Sequence, residues 1–499
     1  MVILKKHRFE FLIFIFLSLA FFGTRIFRIE TLPLFTDEAI YTRWSQIARY
    51  DAAWRFISLT DGKQPLFVWF DMVFMRFIKD PLLAGRAVSV MAGFFSMIGL
   101  FFLGREVFKN KWIGIITSLL YLIFPFALVY DRMALYDSLV GTFAIWVLYL
   151  EILLIRKRRL DIALILGMVL GLAVLTKTSG FFGIYLLPFS LLIIDLNNKK
   201  KLDNIFRWGG LAIISVILAY AYYSILRLSP FFHIISDKNS IFVYPIGEWV
   251  QHPFNFFWGN LLGVWDWFLK YTTWPIIILM FGSLFVARKY TREKLLLIVW
   301  FLAPFTALAL FGRVLYPRFI FFMTLSLLPL VSLSIYSISQ RVKNKWLFGV
   351  CFLLLVGLVL RSDYYILTDF ARAPIPSSDL EQYINGWPAG GGVKEVVSFL
   401  QQESQKGKIY VATEGTFGSL PTYIIEIYLG DNKNVEKRGI WPLPPEIPKD
   451  LTSLAKKMPT FFIFNNSQSP PAGWPLRFIA KYQKGIGDSY MSLYQVEGR

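Results

Sequence analysis

The sequence predicts an all-α polytopic membrane protein of about 11 transmembrane helices, followed by a small α/β domain outside the membrane. Three observations carry that prediction. First, 56% of the 499 residues are hydrophobic and 17% charged, against roughly 45–50% and 25% in soluble domains. Second, apolar stretches approaching the ~20 residues a bilayer requires recur along the chain. Third, the formal charge of +19 is confined to the apolar part: residues 362–499 hold 14 Lys/Arg and 14 Asp/Glu, leaving 38 basic and 19 acidic residues in 1–361. A basic excess placed this way speaks for membrane topology and against a nucleic-acid partner. The single cysteine, Cys351, excludes an internal disulfide.

The expected spans lie near 9–29, 82–104, 112–130, 137–155, 160–177, 181–196, 205–227, 273–287, 295–311, 319–339 and 346–361. The first is too long for a removable signal peptide and lacks a small-residue cleavage site. Every second connection is basic: Lys5/Lys6/Arg8, Arg105/Lys109/Lys111, Arg156 to Arg159, Lys199 to Lys201 with Arg207, Arg288/Lys289/Arg292/Lys294 and Arg341/Lys343/Lys345. The positive-inside rule puts these and the N-terminus in the cytoplasm, and the C-terminal domain outside the cell membrane. Leu66 to Ile78 is too short to cross and carries Asp71 and Arg76, so it reads as a helix lying in the interface. The external face then receives loop 30–81, short turns at 131–136, 178–180 and 312–318, and an aromatic loop, 228–272. That loop, with Trp249, Trp258, Trp265 and Trp267, suits anchoring among headgroups.

The chain divides into a transmembrane part, 1–361, a linker, 362–382, and an extracytoplasmic domain, 383–499. In the last, KIYVAT, YIIEIYL, TFFIFN and SYMSLYQV read as strands and VKEVVSFLQQESQK as an amphipathic helix. The Gly/Pro stretches NGWPAGGG and WPLPPEIP read as loops. The glycine run lacks the strand and helix context of a nucleotide fingerprint.

Ionisable groups beside spans are costly and mark function. Asp37 and Glu38 open the first external loop, Lys63 follows in the same loop, Asp131, Arg132 and Asp137 sit at a turn, and Lys177 ends a span. Arg313 and Arg318 bracket another turn. Topology brings these separated segments to one membrane face. Carboxylates and cations at that depth suit displacement of the phosphate from a polyprenyl-phosphate-linked sugar. A base is needed on the acceptor hydroxyl. Phosphate leaves readily as an anion and needs cations around it in place of a strong acid.

TDEAIY, KQPLFVW, YDRMALYDS and GLAVLTKTSG, in this order, resemble the bacterial branch of the protein O-mannosyltransferase-type glycosyltransferases, with the C-type membrane fold. The lipid A aminoarabinose transferases belong to the same superfamily. The resemblance covers roughly residues 10–340. It implies inverting transfer of a sugar from a dolichyl- or polyprenyl-phosphate carrier outside the membrane. Asp37 matches the catalytic acidic residue, with Glu38 beside it. Lys63 and Lys177 match lysines associated with the lipid phosphate; Arg132, Asp137 and Arg318 match further substrate-binding positions. The chain departs from the family pattern in two places: Gln64 stands where Pro is common, and Thr178 follows Lys177 where Gly is expected.

Each group also has a structural reading. Asp37 and Glu38 suit a helix first turn, Asp131/Arg132 a local ion pair, and Asp137 a helix N-cap. Lys177 suits snorkelling, and Arg313 and Arg318 lipid headgroups. With three His and one Cys, a His/Cys metal site is not expected, and no motif supports a carboxylate-held divalent cation. The expected partners are the polyprenyl-phosphate sugar, the membrane, and an acceptor that is a protein, a lipid or an envelope glycan. The rival functions are a transporter or flippase for polyprenyl-linked glycan, a noncatalytic assembly subunit, and a ligase using a pyrophosphate-linked donor.

Overall fold

The computed structural model describes residues 8–195, 199–416 and 419–498; Lys5 and Lys6 lie outside them. Among these, six helices are long and apolar enough to cross a membrane, and a seventh crossing arises if the bent pair Phe257–Thr272 and Trp274–Phe285, at 96°, is one span. The last expected span lies in a 24-residue helix, Lys345–Thr368. The expected count of about 11 full spans is therefore not met by helix length alone.

Local chemistry breaks the remainder. The span expected at 112–130 stops at Leu122 and restarts as Pro125–Tyr130. Pro125 lacks an N–H, and Phe124 before it is extended, the conformation favoured for a residue preceding proline. Helix Leu160–Thr176 ends where Lys177 turns extended, and the next segment tightens to a 3-10 helix at Leu187–Ile193 around Pro188. Leu66–Ile78 supplies only a nine-residue helix, Leu66–Phe74. Small polar pairs knit the bundle, as between Ser96 and Thr142 (2.9 Å) and between Thr117 and Ser332 (2.9 Å).

The helices give the bundle two chemically distinct ends. At one, Arg156 bridges Glu106 (3.0 Å) and Glu293 (2.9 Å), joining three basic connections. At the other, Arg86 bridges Glu38 (2.9 Å). Arg86 and Glu106 share helix Pro81–Phe108, so the two ends stand about 30 Å apart at 1.5 Å rise per residue.

Beyond Thr368 the chain makes a 3-10 turn, Phe370–Arg372, and a short helix, Ser377–Leu380. Fully buried Asp379 of that helix accepts hydrogen bonds from Tyr130 and Tyr271, so residues 377–380 pack into the membrane domain. A five-stranded sheet follows, β1 (Ile409–Glu414), β2 (Val435–Ile440), β3 (Thr460–Phe464), β4 (Leu476–Gln483) and β5 (Tyr490–Val496), in the order β2-β1-β3-β5-β4. β2, β1 and β3 are parallel; β5 and β4 continue antiparallel.

One expected strand is a helix. YIIEIYL belongs to Leu420–Leu429, opened by Pro421, because parallel β1 and β2 need a crossover between them and a short apolar run does not distinguish buried strand from buried helix. The two strands the sequence reading passed over, β2 and β4, are the sheet edges. Their charged, largely exposed residues, such as Glu436, Lys437 and Arg438, are how edges avoid further pairing. The expected helix is present at Val393–Lys406.

Candidate active site

Asp37 is the second residue of helix Thr36–Tyr50, and its side chain enters a cavity of about 540 Å³. Its Oδ2 lies 2.9 Å from Nη2 of Arg318, and its Oδ1 lies 3.9 Å from Nζ of Lys63. Burial pushes the Asp37 carboxyl up; Lys63, Arg318 and Lys177 outweigh it and hold the pKa down at about 2. Arg318 is fixed between the rings of Tyr316 and Phe35, 4.9 and 5.7 Å away.

Lys63 owes its position to Gly62, in the left-handed region at φ 66°. A Cβ there would sit 2.5 Å from Cβ of Lys238 and 2.6 Å from the Ile234 carbonyl oxygen, so only glycine admits this turn beneath helix Ile234–Phe242. The Lys63 ammonium donates to the Tyr41 hydroxyl (3.0 Å) and lies 3.4 Å from Asp61, which also pairs with Lys238 (2.7 Å). Across the cavity, Lys177 pairs with Asp137 (2.9 Å). An apolar wall of Phe181, Phe182, Leu308, Leu315, Phe319 and Phe322 completes the space.

The structure thus brings Asp37, Lys63, Asp137, Lys177 and Arg318 together. It takes Glu38 and Arg132 elsewhere. Glu38, fully buried, receives two hydrogen bonds from Arg86 and one each from the backbone N–H groups of Phe35 and Ala134 (2.7–3.0 Å). No oxygen of it is left for a substrate. Arg132, 1% exposed, donates to the carbonyls of Ile366 and Phe27, a tie between helices. Asp131 pairs with Arg25 (3.4 Å) and not with Arg132. Among the described residues no three His, Cys, Asp or Glu side chains converge as a metal centre would require.

Residues 62–223, about a third of the chain, match the family of dolichyl-phosphate-mannose-protein mannosyltransferases. The whole chain superposes on ArnT from Cupriavidus metallidurans bound to undecaprenyl phosphate, with a TM-score of 0.60 at 15% identity, covering 98% of both chains. It also superposes on the Archaeoglobus fulgidus oligosaccharyltransferase in complex with Zn and sulfate, with a TM-score of 0.55 at 13% identity, over 91% of this chain and 67% of that one. No curated protein sequence matches.

The chain has the C-type glycosyltransferase fold.

Within that fold, the matched family segment contains Lys63, Asp137 and Lys177, while Asp37 and Arg318 lie on either side of it. Three groups not singled out in the sequence, Tyr41, Lys238 and Asn239, line the cavity, and a fourth, Asp61, pairs with its Lys63 and Lys238. Lys238 and Asn239 sit in the run SDKN of the aromatic loop, a polar interruption that membrane anchoring does not explain. Asp266, in the same loop, pairs with Lys270 one turn away (2.8 Å) and is absent from the cavity wall.

Proposed function

We propose that this protein transfers a sugar, with inversion, from a polyprenyl monophosphate carrier to an acceptor hydroxyl at the outer face of the membrane. The observation that carries the reading is the Asp37 carboxylate, held between Arg318 and Lys63 in a cavity that also presents the Lys177–Asp137 pair. ArnT, whose fold the chain shares, was solved with undecaprenyl phosphate, which supports a lipid phosphate as the ligand of those cations.

The carrier phosphate lies among Lys63, Lys177 and Arg318, with its first isoprene units along the phenylalanine wall. As the phosphate draws these cations, their hold on Asp37 weakens and burial restores its basicity. Asp37 then takes the proton of the acceptor hydroxyl while its oxygen attacks the anomeric carbon. The carbon–phosphate oxygen bond breaks on the opposite side, and the cations stabilise the departing phosphate monoester. The basic connections belong to the cytoplasmic side and the C-terminal domain to the outside.

Asp37→Asn keeps the shape of the site and removes the base. In purified enzyme supplied with polyprenyl-phosphate sugar and acceptor, turnover should fall about 10²–10⁴-fold with carrier binding retained. Near-wild-type turnover by a folded variant sinks the assignment.

A further inference from the structure

Lys63 and Lys177 are each followed by a neutral polar residue, Gln64 and Thr178, and these two meet. The Gln64 side-chain amide donates to the Thr178 hydroxyl (2.9 Å), which donates in turn to the Asn239 carbonyl oxygen (3.1 Å). Three separate segments thus build one hydrogen-bonded row in the cavity wall, and Gln64 is only 3% exposed. The direction of the row has a chemical consequence. With one Gln64 N–H and one lone pair of the Asn239 oxygen committed, the row leaves the Gln64 carbonyl oxygen and its second N–H at one end and the Asn239 amide N–H groups at the other. Hydroxyl groups, which both donate and accept, fit such a pair.

Charge points the same way. Asp37, Asp61 and Asp137 are each ion-paired, and the four cations Lys63, Lys177, Lys238 and Arg318 leave one positive charge over. One phosphodiester anion balances it. A pyrophosphate or an acidic sugar exceeds that balance, and a cationic amino sugar finds no unpaired carboxylate.

We propose that Gln64, Thr178 and Asn239 form the subsite that reads the transferred sugar, and that this sugar is neutral and hydroxylated. The inference rests on the polyprenyl-phosphate reading above, and it assigns specificity to residues directly adjoining the phosphate lysines, where a phosphate-linked anomeric carbon must lie.

The test uses the full chain in lipid nanodiscs and compares affinities for bare polyprenyl phosphate and for the same lipid carrying a neutral hexose. Gln64→Leu and Asn239→Leu should each weaken binding of the glycosylated lipid roughly tenfold, the loss of one or two hydrogen bonds. Affinity for the bare lipid should stay within about twofold, which also reports an intact fold. Equal weakening of both lipids, or no weakening of either, overturns the subsite. Wild-type protein gives an independent measure: a carrier-linked sugar bearing a protonated amino group should bind roughly tenfold less tightly than the neutral one, and equal or tighter binding overturns the charge argument. If wild-type protein binds neither glycosylated nor bare lipid, the donor reading itself falls, an outcome distinct from the others.

Discussion

Asp37 and Glu38 are neighbours in sequence, yet about 100° of helix rotation separates their side chains and sends them to opposite tasks. Among the described residues, Glu38 is the one carboxylate paired with fully buried Arg86. Removing one member of a buried pair leaves an uncompensated charge, at a cost of about 3–5 kcal/mol. Glu38→Ala should therefore lower the thermal midpoint and folded yield, while folded molecules bind polyprenyl phosphate normally. A stable variant with a selective loss of turnover would return Glu38 to the chemistry. Asp37 has a depressed pKa, so its ion pairs contribute above the ordinary carboxylate range, and that contribution is lost only as pH falls toward 2. The pH profile of kcat/KM, which reports free-enzyme ionisations, should show no Asp37 inflection between pH 4 and 8. Lys63→Met removes a principal opposing charge, so burial should raise the Asp37 pKa and move an acid limb upward in that profile. An unshifted profile would separate Lys63 from Asp37 electrostatically.

At the scale of elements, the helix carrying Asp37 is held by the C-terminal domain. Phe35 bridges to Ala389, and the Thr36 N–H and hydroxyl both donate to the Pro388 carbonyl (3.1 and 2.9 Å). Farther along, Arg43 pairs with Glu426 (2.9 Å) and Gln46 donates to the Ile427 carbonyl (3.2 Å). A partly exposed pair such as Arg43–Glu426 contributes little, so the backbone contacts at the helix start dominate. Gly390 permits them: a Cβ there would sit 2.3 Å from the Leu34 carbonyl oxygen. Gly390→Ala should displace the start of the helix, and a shift near 1 Å can cost about 10²-fold in rate. Turnover should drop while affinity for polyprenyl phosphate, set by Lys63 and Lys177, changes little. Unchanged turnover would show that the loop does not position Asp37. The sequence marked this glycine run as a loop and Asp37 as a helix start, but not the contact between them.

At the scale of the molecule, the basic connections and the candidate site occupy opposite ends of the same helices. Cysteine labelling tests the orientation proposed from that polarity, in a Cys351→Ser background. In intact cells a membrane-impermeant thiol reagent should label Lys406→Cys, on the C-terminal domain, and reach Lys157→Cys only after permeabilisation. The reverse pattern would invert the topology. Much of this scale was legible beforehand, because spans and charge bias are sums over many residues. Five of the seven site residues expected from the sequence also converge, because topology alone brings their segments to one face. What was not legible was direction within the face, as Glu38 and Arg132 show: both are charged, both adjoin the site in sequence, and both point into the bundle.

By itself the sequence determined a membrane-embedded helical chain with a mixed α/β domain, and the end of the bundle at which its ionisable groups would gather. Apolar length and charge alternation are local quantities that survive any packing. Tertiary structure alone decided which of Asp37 and Glu38 stands in the cavity, which cations oppose it, and that YIIEIYL crosses over as a helix. It also brought Gln64, Thr178 and Asn239 into one row. Each of those outcomes depends on contacts between segments tens to hundreds of residues apart, which close packing selects and composition does not encode.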